Sequence, residues 1–187
     1  LAETREIDVG SWFDPAFSGE RIPTLAEAID LVRGELRLNI ELKFNRPDPN
    51  LAAAVVEVLR QKEFIQESVI TSLDLASLRE VERIEPRLTT GLVLTRAVGN
   101  PARLPVDFLS LNASVAVPRL ISYAHRNGKA VHVWTVNDAE TMVRMIEAGV
   151  DNVITDEPRG MRQVLEERAN LTPGEKLALQ LRRRIIG

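Results

Sequence analysis

The chain has 187 residues, 44% of them hydrophobic and 27% charged, enough apolar content for one sizeable core. A formal net charge of −3 gives no general attraction to nucleic acid, and the absence of cysteine excludes disulfides and thiolate metal sites. No apolar run is long enough to span a bilayer.

Leu1-Ala2-Glu3-Thr4 has no element-start signature, and the first twenty residues read as loop, with Glu6–Val9 the one short strand candidate. Glu6 and Asp8, two apart, have the spacing of a hard-cation pair on a strand, but the loop pattern Gly10-Ser11-Trp12-Phe13-Asp14-Pro15 that follows argues against it. Thr24-Leu25-Ala26-Glu27 is a capping box opening a helix. A strand is predicted over Leu36–Phe44. Asn50, after the breaker Pro47-Asp48-Pro49, is placed to cap a helix with a stripe of Leu51, Val55, Val58 and Leu59. Further strands follow at Ser68–Ser72, Thr89–Leu94, Val106–Leu111, Ala130–Val136 and Asn152–Thr155. Asp74 and Asn137-Asp138 start intervening helices, the second ending near Gly149. Thr172-Pro173-Gly174-Glu175 starts a last helix, dividing the chain into a domain over 1–170 and a helical tail over 171–187.

Strand–helix alternation favours parallel strands with helices outside, in either a doubly wound sheet or a barrel. The count is six strands, two short of a closed (β/α)8 barrel.

Two strands carry candidate chemistry. In Leu36–Phe44 the apolar Leu36, Leu38, Ile40, Leu42 and Phe44 share one face, and Asn39, Glu41 and Lys43 share the other. Pointed into a barrel mouth, that carboxylate and ammonium suit a metal and an anionic substrate. The competing reading is the solvated face of an edge strand, or a buried ion pair. A Schiff-base role for Lys43 is disfavoured, because Glu41 keeps it charged. In Val131–Asn137, alternation puts His132, Trp134 and Val136 on one face. Trp134 suits a pocket wall or the core. His132 has the chemistry of a proton shuttle, but a hydrogen-bonded structural histidine is the simpler reading. His125 sits at a helix C-terminus, where it favours the dipole.

Taken together the sequence resembles the glycerophosphodiester phosphodiesterase family. The matching segments are Asp8-Val9-Gly10-Ser11-Trp12-Phe13, Gly19–Glu27, Asn39-Ile40-Glu41-Leu42-Lys43, Val69–Asp74, Val133–Asn137 and Ile154–Pro158, in family order. The resemblance implies a (β/α)8 TIM-barrel fold, incomplete here, with the first two strands outside this chain. It implies hydrolysis of a glycerophosphodiester to glycerol 3-phosphate and an alcohol, with a divalent metal, Mg²⁺ or Ca²⁺. By the same resemblance Glu41 is a metal ligand, Lys43 contacts the substrate phosphate, and Trp134 walls the pocket near the glycerol moiety. The family's two catalytic histidines have no counterpart in this chain, so the expectation is that it is inactive alone. Leu73 stands where relatives usually carry Phe.

Two other readings stay open: a non-catalytic binding module on the same scaffold, and a different phosphate-binding α/β protein. A homodimer through the open barrel edge is expected. Membrane association is left open for the parent protein. The tail segment Lys176–Gly187, with Arg182-Arg183-Arg184, reads more simply as a solvated helix than as a membrane-surface one.

Overall fold

The computed structural model describes residues 3–43, 48–96, 99–172 and 174–175. The tail expected to be helical beyond residue 175, and Phe44, expected on the first strand, lie outside the described residues.

The first twenty or so residues form short 3-10 turns (Glu3–Glu6 and Pro15–Phe17) tied by one antiparallel bridge, Asp8 to Arg21. The Asp8 carboxylate accepts the N–H groups of Gly10, Ser11 and Gly19 and the Ser11 hydroxyl. Those donors hold its pKa well below the usual range, Ser11 most of all. This is a loop clasp, and it accounts for an acidic residue here without a metal.

Then strands and helices alternate: α1 (Leu25–Val32), β1 (Leu38–Leu42), α2 (Leu51–Gln61), β2 (Ser68–Ser72), α3 (Leu75–Ile84), β3 (Thr89–Leu94), β4 (Phe108–Asn112), α4 (Pro118–Arg126), β5 (Ala130–Trp134), α5 (Ala139–Ala148), β6 (Asn152–Val153) and α6 (Pro158–Ala169). All adjacent strands pair in parallel, and their spatial order is β1-β2-β3-β4-β5-β6. A doubly wound sheet reverses its strand order at a switch point. This sheet never reverses, so it is a curled partial barrel with helices on its outside. Among the described residues β1 and β6 each have a neighbour on one side only.

Local chemistry explains most boundaries. The Thr24 hydroxyl accepts the Glu27 N–H at 3.2 Å while the Glu27 carboxylate accepts the Thr24 N–H at 2.7 Å. Asp74 caps α3 through the N–H groups of Ala76 and Ser77, and Asp138 caps α5 through that of Thr141. Gly149 ends α5 at φ 83°, where a side chain is strained. Asn50 behaves differently. Its side chain makes no cap bond, and Asp48 accepts the Asn50 N–H instead, at 2.9 Å.

The core lies between sheet and helices. It takes Ile70, Leu92, Leu109, Leu111, Val131 and Val133 from the strands and Ile29, Val56, Leu59, Leu78, Ile121 and Met142 from the helices. In α2 the fully enclosed residues are Val56 and Leu59, while Val55 and Val58 are part-buried, a stripe turned by one position from the expected one. Inside the sheet, a Cβ on Gly91 would fall 2.2 Å from the buried Phe108 ring. Glycine on β3 is therefore what lets Phe108 fill the lumen.

Candidate functional site

Register and alternation assign the lumen face: Asn39 and Glu41 on β1, Thr71 on β2, Gly91 and Val93 on β3, Phe108 and Ser110 on β4, His132 and Trp134 on β5. Toward the C-terminal ends of these strands a cavity of about 350 Å³ opens, within the roughly 300–1,000 Å³ range of small-molecule pockets. It is lined by Asn39, Glu41, Lys43, Thr71, Leu73, Val93, Thr95, Ser110, Trp134, Thr135 and Ile154. That is the end of a parallel barrel where reactive groups gather. A second cavity, of about 280 Å³, lies at the opposite end among Arg33–Arg37, Phe64 and Glu67. There the Arg33 guanidinium sits over the Phe64 ring, a packing arrangement.

Glu41, Lys43 and Trp134 thus surround one space. Glu41 and Lys43 are exposed, and neither pairs with the other or with another described residue. The buried ion pair is therefore not what holds this strand. Position is set instead by neighbours. The buried Ser72 hydroxyl donates to the Leu42 carbonyl at 2.8 Å and accepts the Asp74 N–H, fixing the end of β1 just before Lys43. Thr71 donates to Asn39 Oδ1 at 3.0 Å, which leaves the Asn39 amide N–H groups as the donors facing the cavity. Trp134 Nε1 donates to the Ser110 carbonyl at 3.1 Å, and the Trp134 carbonyl accepts the Ala113 N–H at 2.7 Å.

Alternation stops at Trp134. Thr135 lines the cavity and Val136 is buried in the outer core, so Val136 does not share the Trp134 face. β5 ends at Trp134, and a period of two does not survive the strand end. The Trp134–Thr135 peptide is cis.

His132 lies one lumen step below Trp134, stacked on Phe108 with ring centroids 4.0 Å apart. Burial pushes its pKa below the ordinary value, opposed in part by Asp151. Contrary to the hydrogen-bonded role expected of it, its enclosed Nδ1 has no partner. His125 is at the far end of the strands, its Nε2 2.8 Å from Asp151 Oδ2, which also accepts the Val131 N–H.

Among the described residues no three of His, Cys, Asp or Glu converge, and Glu41 is the one carboxylate lining the cavity. These residues do not make a metal site by themselves.

Sequence reasoning missed Thr71, Thr95, Ser110 and Thr135 as lining residues. The signal for Ser110 was present, since it alternates with the apolar Leu109 and Leu111 along β4. It also missed Asn137, which bridges the last two loops.

Residues 1–159 match the glycerophosphoryl diester phosphodiesterase family. The chain belongs to that family. It is 34% identical over 164 residues to the glycerophosphodiester phosphodiesterase of Caldanaerobacter subterraneus subsp. tengcongensis, covering 84% of this chain and 68% of that protein. It is 24% identical over 176 residues to a glycerophosphodiester phosphodiesterase of Arabidopsis thaliana, covering 89% of this chain and 53% of that one. Its fold is similar to that of an Oleispira antarctica phosphodiesterase solved with the product sn-glycerol-3-phosphate, with TM-score 0.79 and 28% identity. That likeness covers 89% of this chain and 70% of the other. The chain thus spans from about half to seven-tenths of the length of these relatives.

Proposed function

We propose that this chain supplies the phosphate- and glycerol-facing part of a glycerophosphodiester phosphodiesterase site, in a protein that hydrolyses a glycerophosphodiester to glycerol 3-phosphate and an alcohol. The observation that carries this is the single cavity holding Glu41, Lys43 and Trp134 at the C-terminal ends of parallel strands. Lys43 is the cation for the phosphate, and Trp134 is an apolar wall for the carbon chain of the glycerol. Glu41 is one ligand of a divalent metal, Mg²⁺ or Ca²⁺, whose remaining ligands come from outside the residues described. The sheet edges at β1 and β6 are where two further strands would complete a (β/α)8 barrel.

With one carboxylate assigned to metal, one ammonium assigned to phosphate and no imidazole among its described lining residues, the cavity binds but has little means to catalyse. Calorimetric titration of sn-glycerol 3-phosphate into this chain tests the binding. Saturable binding is expected, weakened about tenfold or more by Lys43→Ala, since a charge-assisted contact is the strong kind. Binding indifferent to Lys43 would refute the site. Glycerophosphocholine with Mg²⁺ or Ca²⁺ should give no measurable turnover. Robust turnover abolished by His132→Ala would place the proton-transfer group at β5 instead.

A second reading, a non-catalytic binding module on the same scaffold, is favoured by that same lack of a lining imidazole among the described residues. Turnover by a longer chain with the barrel completed would decide against it.

A further inference from the structure

We propose that His132 is a ligand-binding residue: a neutral imidazole whose Nε2–H donates to a hydroxyl oxygen of the ligand beneath Trp134, selecting a polyol phosphate over inorganic phosphate. This rests on the cavity read above as the glycerol phosphate site.

Nδ1 is enclosed and has no partner. Nε2 also lacks a protein partner but is not sealed in, which leaves it the nitrogen open to the lumen. A buried, unpaired N–H is rarer in proteins than a buried, unpaired acceptor. The proton therefore sits on Nε2, and Nδ1 keeps a bare lone pair. Burial favours the neutral ring, consistent with the lowered pKa. If stacking on Phe108 were the whole role of this side chain, Phe or Leu would serve without enclosing an unsatisfied nitrogen.

The ring is well supported. Its stacking partner Phe108 fits because Gly91 has no side chain. In register, His132 faces Ser110, itself a cavity residue and the carbonyl partner of the Trp134 indole. Lys43 follows β1, and β5 is four strands away across the curled sheet. Lys43 thus gives the cavity a cationic side suited to phosphate, and His132, on the lumen face one step below Trp134 and opposite the cavity residue Ser110, offers a neutral N–H suited to a hydroxyl that reaches below the lining.

The test compares sn-glycerol 3-phosphate with inorganic phosphate on the unaltered chain, His132→Phe and His132→Gln. Phenylalanine preserves the stack and removes the donor. Glutamine restores an N–H. We expect His132→Phe to weaken glycerol 3-phosphate about three- to tenfold, the range of one neutral hydrogen bond, with phosphate unchanged. His132→Gln should recover part of the loss. Unchanged glycerol 3-phosphate affinity in His132→Phe, or equal weakening of both ligands, overturns the inference and leaves the cavity reading standing. Failure of the unaltered chain to bind either ligand overturns both. Independently, the ¹⁵N shifts of the two imidazoles, assigned with His132→Phe, must show His132 as the Nε2–H tautomer in the free chain. The Nδ1–H tautomer, or an imidazolium at neutral pH, overturns the inference whatever the titrations give.

Discussion

Asn137 and Asp156 are joined twice: Asn137 Nδ2 donates to Asp156 Oδ2 at 2.8 Å, and Asn137 Oδ1 accepts the Asp156 N–H at 2.9 Å. Asn137 Oδ1 also accepts the Thr155 hydroxyl at 3.2 Å, and the Thr155 hydroxyl oxygen in turn accepts the Glu157 N–H. The loop that follows Trp134 at the end of β5 is thereby fastened to the loop after β6. This is why the segments Val133–Asn137 and Ile154–Pro158, apart in sequence, belong to one device. Asn137→Ala should destabilise the fold by about 1–3 kcal/mol, since three hydrogen bonds go, in a partly solvated setting. It should also speed exchange of the Asp156 amide proton. A melting temperature and exchange rate equal to those of the unaltered chain would show that the loops are held by packing alone.

The lumen floor yields a second expectation. An alanine at position 91 would place its Cβ 2.2 Å from the Phe108 ring, with the ring buried and unable to swing into solvent. Overpacking of this kind typically costs about 1–3 kcal/mol. Gly91→Ala should therefore lower the denaturant midpoint, and Gly91→Ala with Phe108→Leu should recover part of it. An equal loss in the double variant would mean that backbone conformation, not the ring, demands glycine here.

Much of this was legible in sequence because it is local. Alternation in Leu38–Leu42 sorts Asn39 and Glu41 from the core face, and the caps at Thr24, Asp74 and Gly149 need partners only a few residues away. The misses share a cause. Val136 turns into the core once β5 ends, and Asn137 chooses a partner nineteen residues on. Which of two polar neighbours wins a bond depends on the meeting of distant segments, and no local pattern encodes it. The choice between a doubly wound sheet and a barrel was open for the same reason. Alternation gives the layers, while strand order is set by long-range packing.

Acid stability should report on Glu85, whose carboxylate is buried between Arg87 and Arg60. Hydrogen bonds from Arg87 first, then Arg60, bring its pKa from an ordinary 4.5 down to about 2. A folded-state pKa below the unfolded one means that the unfolded chain binds the proton more tightly. The stabilisation is thus complete above pH 4.5 and is lost as the pH falls toward 2. Glu85→Gln should lower the melting temperature at pH 7, and the gap from the unaltered chain should close between about pH 4.5 and 2. A gap independent of pH would mean that shape, not charge, is what the two arginines recognise.

Assembly follows from the two strand edges. β1 and β6 are each unpaired on one side among the described residues, and unpaired edges are templates for another chain. Apolar surface adds to this: Leu31 is 84% exposed, Leu36 just before β1 is 64% exposed, and Trp12 is 80% exposed. Residues 3–22 are the nearest internal candidate for a plug, yet they form 3-10 turns whose one strand bridge is internal, Asp8 to Arg21, and Arg5 ties them to Glu27 of α1. With Asp8 holding four hydrogen bonds inside that loop, conversion to a strand would break them all. We therefore expect the chain to self-associate through the gap between β1 and β6, most simply as a homodimer. Sedimentation should show the dimer fraction rising with concentration. A proline at Asn39, whose N–H points to the free edge while that of Leu38 bonds the β2 side, should weaken it if the variant folds. Charged replacements at exposed Leu31 and Leu36 offer a milder check, since neither side chain supports the core. A compact monomer at every concentration would exclude the dimer and require the N-terminal loop to refold into the gap.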